Sequence, residues 1–256
     1  DYQMTPGDYF ERIGSAALAF SGGMDSAYLL YLALTNGCDA AAYYVKTQFQ
    51  PEFEQRDAEA MAEKLGVRLS VIDMDVLDSC EVAENTPSRC YFCKKRIMGA
   101  ILAQARTDGY EVVMDGTNAS DDAEDRPGMK ALEEMKIISP LRELGLTKRH
   151  IREQSKAAGL FTWSKPAYAC LATRIPFGTE ITAERLRKIE QGEEALFKMG
   201  FSDFRVRMTA EGSARIEVTG KQMEQVFRKR SAVVHELGKL FCGVSLSLVP
   251  REDTVN

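Results

Sequence analysis

The sequence predicts an α/β protein: a doubly wound parallel sheet over residues 1–175, then a small α+β domain over 176–256. Three observations lead there. Short apolar or β-branched runs alternate with longer amphipathic ones through the first half, and strands spaced by helices pair in parallel. A serine- and glycine-rich turn stands where the first strand passes into the first helix. From about Pro176 the order changes to helix, strand, strand, helix, strand.

Taken in order, Ser15 to Phe20 reads as a buried strand, and Asp25 to Thr35 as a helix ended by Asn36-Gly37. Ala40 to Val45 is the second strand, Pro51 to Leu65 the second helix, stopped by Gly66, and Val67 to Asp73 the third strand. Arg89 to Arg106 is helical, Glu111 to Asp115 a fourth strand and Ile137 to Ser139 a short fifth. In the second domain a helix covers Thr182 to Met199, with Thr182-x-x-Arg185 short of a full capping box. Strands follow at Phe204 to Met208 and Ala214 to Val218, then a helix from Lys221 to Leu237 and a strand from Phe241 to Leu248.

Composition narrows the function. The 256 residues are 45% hydrophobic, enough for one good core and a smaller second one. No run approaches the roughly 18 apolar residues of a membrane span. Asp1 to Arg12 lacks the layout of a signal peptide, so a cytoplasmic protein is expected, and a start at Asp rather than Met is expected of a truncated or processed chain. The net charge of -5, with 33 basic and 38 acidic residues well mixed, argues against non-specific nucleic-acid binding. It leaves room for a local basic pocket. Six cysteines are too sparse for a disulfide-stapled secreted domain and in a cytosolic chain point to metal binding or catalysis.

The sharpest local signal is Ser21-Gly22-Gly23-Met24-Asp25-Ser26. A helix N-terminus offers unpaired N–H groups and a positive dipole end, which together attract phosphate. Two glycines let the backbone approach an anion closely, Ser21 and Ser26 add hydroxyls, and Asp25 can hold a Mg²⁺ bridging phosphate oxygens. The turn lacks the lysine of a Walker loop and the spacing of a dinucleotide fingerprint. The bland alternative is an ordinary Gly-Gly turn with a serine cap. This string in this position resembles the PP-loop ATP pyrophosphatase superfamily. The resemblance implies an adenine-nucleotide α-hydrolase fold that cleaves ATP between its α and β phosphates.

A second polar stretch, Asp115-Gly116-Thr117-Asn118, closes the fourth strand, followed by Asp121, Asp122, Asp125 and Arg126-Pro127-Gly128. Ligands bind at the carboxyl ends of parallel strands, so Gly116 and Asn118 join the ATP-binding candidates; a solvated acidic loop is the alternative. Arg142 and Lys148 read as surface charges.

Cys90 and Cys93 form a CxxC between Arg89 and Lys94-Lys95, cations that favour thiolates. The pair fits redox chemistry, half a zinc site or part of an iron–sulfur site. Cys170 stands far away between Lys165 and Arg174, while Cys38, Cys80 and Cys242 read as small hydrophobes. Three thiolates are one short of a tetrahedral zinc site, and neither His150 nor His235 has an evident claim to be the fourth ligand. A three-cysteine [4Fe–4S] cluster is the sharper reading; a packed Cys170 unrelated to the pair is the alternative.

Several motifs in order resemble the LarE family: Arg89-Cys90-Tyr91-x-Cys93-Lys94-Lys95, the run from Gly116 to Gly128, Lys165-Pro166-x-x-x-Cys170-Leu171-x-x-Arg174, Phe177-Gly178-x-x-Ile181-Thr182 and Arg205-Val206-Arg207. The likeness spans roughly Ser15 to Leu248. It implies an ATP-dependent sulfur transferase of nickel-pincer nucleotide cofactor assembly. Such enzymes adenylate a carboxylate of pyridinium-3,5-biscarboxylic acid mononucleotide and convert it to a thiocarboxylate. In some members the cysteine matching Cys170 gives up its own sulfur; members with three cysteines are thought to use a [4Fe–4S] cluster, and this chain resembles those.

The expected chemistry has ATP held by Ser21, Gly22, Gly23 and Ser26, with Mg²⁺ near Asp25, and a sulfur nucleophile at Cys90, Cys93 and Cys170. Arg205 and Arg207 alternate on a strand and share a face that suits a substrate phosphate. By resemblance Glu193 or Glu194 contributes to the nucleotide substrate or a metal, and the family forms homo-oligomers, commonly hexamers. The rivals are a PP-loop tRNA thiolase, an ammonia-using amidotransferase and a nucleotide-binding sensor without catalysis.

Overall fold

In the computed structural model, which describes residues 4–121 and 126–252, the chain divides into two units. The first comprises Asp1–Thr47, Glu52–Val76 and Ser88–Lys165; the second comprises Gln48–Pro51, Leu77–Pro87 and Pro166–Asn256.

The first unit opens on a helix, α1 (Pro6–Ile13), set by a capping box in which Thr5 Oγ1 accepts from Asp8 N and the Asp8 carboxylate accepts from Thr5 N. Then follow β1 (Ser15–Ala19), α2 (Met24–Thr35), β2 (Asp39–Lys46), α3 (Glu52–Leu65) and β3 (Leu69–Asp73). A short turn of helix, α4 (Cys80–Ala83), lies in the second unit. The chain returns with α5 (Arg89–Thr107), β4 (Val113–Asp115), α6 (Arg126–Glu134), α7 (Pro140–Glu143) and α8 (Lys148–Ala157).

The four strands lie in the order β3-β2-β1-β4, all parallel. Alanines dominate the two inner strands, with Ala16 opposite Ala40 and Ala17 opposite Ala41. Successive residues serve opposite faces. Ala16 and Leu18 pack with Ala27, Leu30 and Ala33 of α2 and Ile151 of α8, whereas Ala17 packs with Met98, Ile101 and Ala105 of α5. Both faces are therefore covered by helix, as the alternation predicts. The strand order reverses at β1, flanked by β2 and β4, so its carboxyl end is the switch point where open α/β sheets take ligands.

In the second unit α9 (Ala183–Lys198) begins at Thr182, whose Oγ1 accepts from Arg185 N at 3.2 Å. It precedes the antiparallel pair β5 (Arg205–Met208) and β6 (Ala214–Glu217), the helices α10 (Met223–Arg228) and α11 (Arg230–Gly238), and β7 (Val244–Leu246), which runs parallel to β6. Gly192 lets α9 approach its neighbours: a Cβ there would lie 3.1 Å from Leu237 Cδ2 and from Phe241 Cε2.

Three expectations need correction. Ile137 to Ser139 makes only a bridge to β4, through Asp115 N to Ile138 O and Ile138 N to Val113 O, because Pro140 starts α7 at once. The helix expected over Lys221 to Leu237 is bent at Lys229, whose ammonium reaches 2.5 Å to Met199 O at the end of α9. The last strand is shorter than expected, since Phe241 N closes a turn onto Leu237 O and Cys242 N bonds the distant Gly212 O before the strand begins. Helices α1, α4, α6, α7 and α8 have no counterpart among the expected elements. No helix among the described residues is long and apolar enough to cross a membrane.

Candidate active site

The turn after β1 is built from its own serines. Ser26 Oγ accepts from Ser21 N at 3.3 Å, donates to Gly23 O at 3.3 Å and lies 3.0 Å from Ser21 Oγ. Ser21 Oγ in turn accepts from Gly23 N at 3.3 Å. Gly22 has φ +75°, a conformation glycine adopts without strain. Gly23 begins α2 with no side-chain cap, which leaves the positive end of a 12-residue helix without a capping acceptor.

The second polar stretch lies against this turn. Asp115 accepts from Thr117 N, Thr117 Oγ1 and Ser139 Oγ, fixing the sharp turn after β4. That turn presses Gly116 onto α2 so closely that a Cβ would sit 3.0 Å from Ser26 N. Asn118 is fully buried; its Oδ1 accepts from Ser120 N, and its Nδ2 has no partner. Asp25 Oδ1 is likewise buried without a donor. Burial pushes the Asp25 carboxyl up to about 6, with Asp121 adding to the rise while Lys148, Arg152 and Asn118 oppose it. A buried carboxylate oxygen lacking a donor fits a divalent cation, and an amide donor lacking an acceptor fits a nucleotide oxygen or ring nitrogen.

Lys148 and Arg152 come from α8, which Thr147 caps by accepting from His150 N. Four residues apart, they share one helix face and direct positive charge at Asp25. Arg152 is braced on the carbonyls of Trp163 and Lys165.

Cys90 and Cys93 occupy the first turns of α5, one turn apart. Arg89 Nη2 lies 3.7 Å from Cys90 Sγ. None of the six cysteines is in a disulfide. Among the described residues no group of three or more His, Cys, Asp or Glu is gathered to hold a metal ion.

In the second unit Cys170 sits in an irregular segment ahead of the turn Leu171–Arg174. Arg174 and Glu193 form an ion pair at 2.8 Å with side chains only 1% and 2% exposed. Burial works against the Arg174 cation, but Glu193 outweighs it, with Tyr168 and Cys170 adding, and the net shift is upward. Arg205 stacks on Tyr168, and burial, with Arg174 and Arg251 nearby, pushes it down to about 10.

Residues 13–199 match the family model described as "Thiamine biosynthesis protein (ThiI)". The chain is 35% identical to an uncharacterized protein of Synechocystis over 85% of its length and 81% of that protein's. It is 32% identical to the pyridinium-3,5-bisthiocarboxylic acid mononucleotide synthase of Lactiplantibacillus plantarum, over 78% of this chain and 73% of the synthase. The chain belongs to the LarE family of PP-loop proteins. A narrower likeness joins it to a tRNA-specific 2-thiouridylase of Fervidobacterium nodosum, 30% identical over 38% of this chain and 34% of that enzyme.

In this LarE-family chain the expected ATP-binding residues Ser21, Gly22, Gly23, Asp25, Ser26, Gly116 and Asn118 lie around the two abutting turns of the first unit, together with Cys90 and Cys93 in the same unit. Asp122 and Asp125 lie outside the described residues. Arg205 and Arg207, expected on a substrate phosphate, are engaged within the protein: Arg205 donates to Phe204 O and Ala167 O, and Arg207 to Glu217 and Thr173 O. Glu194 pairs with Lys198 on the solvent side of α9, while its neighbour Glu193 is buried. Lys148 is directed at Asp25 rather than being a bare surface charge, and the sequence reading passed over Arg152. Their signal was present: two cations at i and i+4 behind a threonine cap.

One consequence is testable here. A Cβ on Gly22 would meet Ala58 N at 2.8 Å and Ala58 Cα at 2.9 Å, backbone atoms of α3 that cannot swing aside. Gly22→Ala is expected to cost about 2–3 kcal/mol and to weaken ATP binding at least about tenfold. Calorimetric melting and ATP titration would check both, and a variant with unaltered binding would remove the phosphate-loop role.

Proposed function

We propose that the chain is an ATP-dependent sulfur transferase that adenylates a carboxylate of pyridinium-3,5-biscarboxylic acid mononucleotide and converts it to a thiocarboxylate during nickel-pincer nucleotide cofactor biosynthesis. The observation that carries the first half is the uncapped start of α2 beside a buried, unpartnered Asp25 oxygen and the Lys148 and Arg152 charges. The likeness to the bisthiocarboxylic acid mononucleotide synthase supports the substrate.

The substrate carboxylate oxygen attacks the α-phosphorus of ATP, and the bond to the bridging oxygen breaks to release pyrophosphate. Backbone N–H groups of the turn take up charge on the phosphate, Asp25 would hold Mg²⁺, and Lys148 and Arg152 favour departure of the pyrophosphate. Sulfide then adds to the acyl carbon, the acyl–oxygen bond breaks, AMP leaves, and one proton is lost to give the thiocarboxylate. The family resemblance, rather than any gathering of side chains, favours Cys90, Cys93 and Cys170 as the residues that would hold a [4Fe–4S] cluster. Bound to three cysteines, such a cluster would offer one iron free to take exogenous sulfide. The family likeness also favours a homo-oligomer, which light scattering would test.

The deciding experiment measures iron and acid-labile sulfide after anaerobic reconstitution, beside ATP–pyrophosphate exchange with and without the mononucleotide. About four irons per chain, lost in Cys90→Ala, Cys93→Ala or Cys170→Ala, is the expected result. No iron, with loss of H₂S from Cys170 after one turnover, would mean that the cysteine itself surrenders its sulfur. Exchange stimulated by unmodified tRNA and not by the mononucleotide would overturn the substrate in favour of tRNA thiolation.

A further inference from the structure

We propose that Glu193 is a positioning residue for Cys170, holding both flanks of the Cys170 segment through a single buried carboxylate. The proposal rests on Cys170 being the sulfur-handling residue of the preceding section.

Arginines bind the carbonyls around Cys170. Arg205 Nη2 donates to Ala167 O at 2.6 Å, Arg174 Nη1 to Ala169 O at 3.0 Å, and Arg207 Nη1 to Thr173 O at 2.7 Å. The Cys170 carbonyl accepts from Thr173 Oγ1 at 2.8 Å. Carbonyls in an irregular segment lack a sheet or helix ladder, and these side chains replace it.

Glu193 is the hub. Its Oε1 accepts from Arg174 Nε at 2.8 Å and from Val206 N at 3.0 Å, and its Oε2 accepts from Tyr168 Oη and from Arg174 Nη2 at 3.4 Å. Tyr168 precedes Cys170 by two residues and Arg174 follows it by four. One carboxylate on α9 thus fastens both sides of the cysteine and ties them to β5. Tyr168 is further enclosed between guanidiniums, with Arg174 4.7 Å and Arg205 5.2 Å from its ring centroid. None of these bonds uses the Cys170 sulfur.

A buried ion pair is a costly way merely to fill a core, because apolar residues of similar volume hold a fold at least as well. Apolar residues cannot donate to the carbonyl of Ala169 or hold the hydroxyl of Tyr168. The network therefore fits a requirement for geometry at Cys170 that stability alone does not impose.

The test follows alkylation of Cys170 in the full chain by iodoacetamide, read by peptide mass spectrometry, with Cys90 and Cys93 as internal references. Glu193→Gln and the apolar pair Arg174→Met with Glu193→Leu are expected to raise the Cys170 rate about tenfold as the segment loosens. Sulfur transfer is expected to fall about 100-fold, with the KM for ATP changed less than threefold, because displacement of a reacting group by an ångström costs that much. The apolar pair is expected to recover the melting temperature and not the transfer rate. If it recovers both, or if Cys170 labels at the wild-type rate in every variant, the positioning role is overturned. Should Glu193→Gln fail to fold, Tyr168→Phe removes one hydroxyl only and is expected to raise labelling in the same direction. Normal transfer by Cys170→Ala would overturn the assigned chemistry, while the labelling rates would still decide whether Glu193 orders the segment.

Discussion

Asp25→Asn is expected to lower substrate-dependent ATP–pyrophosphate exchange by about a thousandfold, yet to raise the melting temperature of the ligand-free protein above pH 6. Both effects arise from the same oxygen. With its Oδ1 unpartnered, the Asp25 carboxylate is penalised by burial more than Lys148 and Arg152 relieve it, which pushes it up to about 6 from an ordinary 3.8. The folded chain then binds more protons than the unfolded chain between those values, so stability falls as pH rises through the window. Well below pH 3.8 the group is protonated in both states and the penalty vanishes. A shift of about two units corresponds to about 3 kcal/mol, and partial exposure to solvent reduces this to about 1–2 kcal/mol. Asparagine carries no charge and escapes the penalty, a gain of about 3–6 °C for a chain of this size. Scanning calorimetry at about pH 2.5 and pH 7.5 would check it: the gain should be absent at the first and present at the second. A pH-independent difference, or unimpaired exchange, would remove Asp25 from the site.

The largest effect on stability is expected from Arg174→Met, about 3–5 kcal/mol, because it strands the Glu193 carboxylate at 2% exposure with its principal cation gone. Adding Glu193→Leu should return most of that loss, since the second change removes the stranded charge. Urea unfolding of the single and paired variants gives the comparison directly. A pair no more stable than Arg174→Met alone would mean that the remaining network, Tyr168 to Glu193 and Arg205 to Ala167 O, carries the stability instead.

The serine- and glycine-rich turn was legible as a turn because its hydrogen bonds are local. Ser21 to Ser26 supply their own hydrogen bonds within six residues, and the alternation of strand and helix places them at a strand's carboxyl end. Strand lengths were less legible where a neighbour intervened, as when Pro140 truncated the ladder at Ile138. Pairings between distant segments left no mark in a linear reading. Glu193 and Glu194 are equivalent as letters, yet the helix turns one toward Arg174 and the other toward Lys198 in solvent. Arg205 and Arg207 were read as reaching for a ligand because a strand places them on one face. Their partners, Ala167 O and Thr173 O, lie more than thirty residues away. Lys148 and Arg152 went unrecognised as a pair for the same reason: α8 packs beside α2, far from it in sequence.

The polypeptide passes between the two units five times, after Thr47, Pro51, Val76, Pro87 and Lys165. During synthesis the first unit can close only once Lys165 has left the ribosome, with Gln48–Pro51 and Leu77–Pro87 held out as loops until the remaining third of the chain arrives. Leu171 N then bonds Phe49 O, and Asn85 Nδ2 bonds the carbonyls of Pro176 and Thr179, joining the newest segment to some of the oldest. A fragment ending at Lys165 would leave Phe49 and Asn85 without these partners. The second unit is therefore completed after the first, and the Cys170 segment acquires its arginine clamp only once Arg205 and Arg207 have been made.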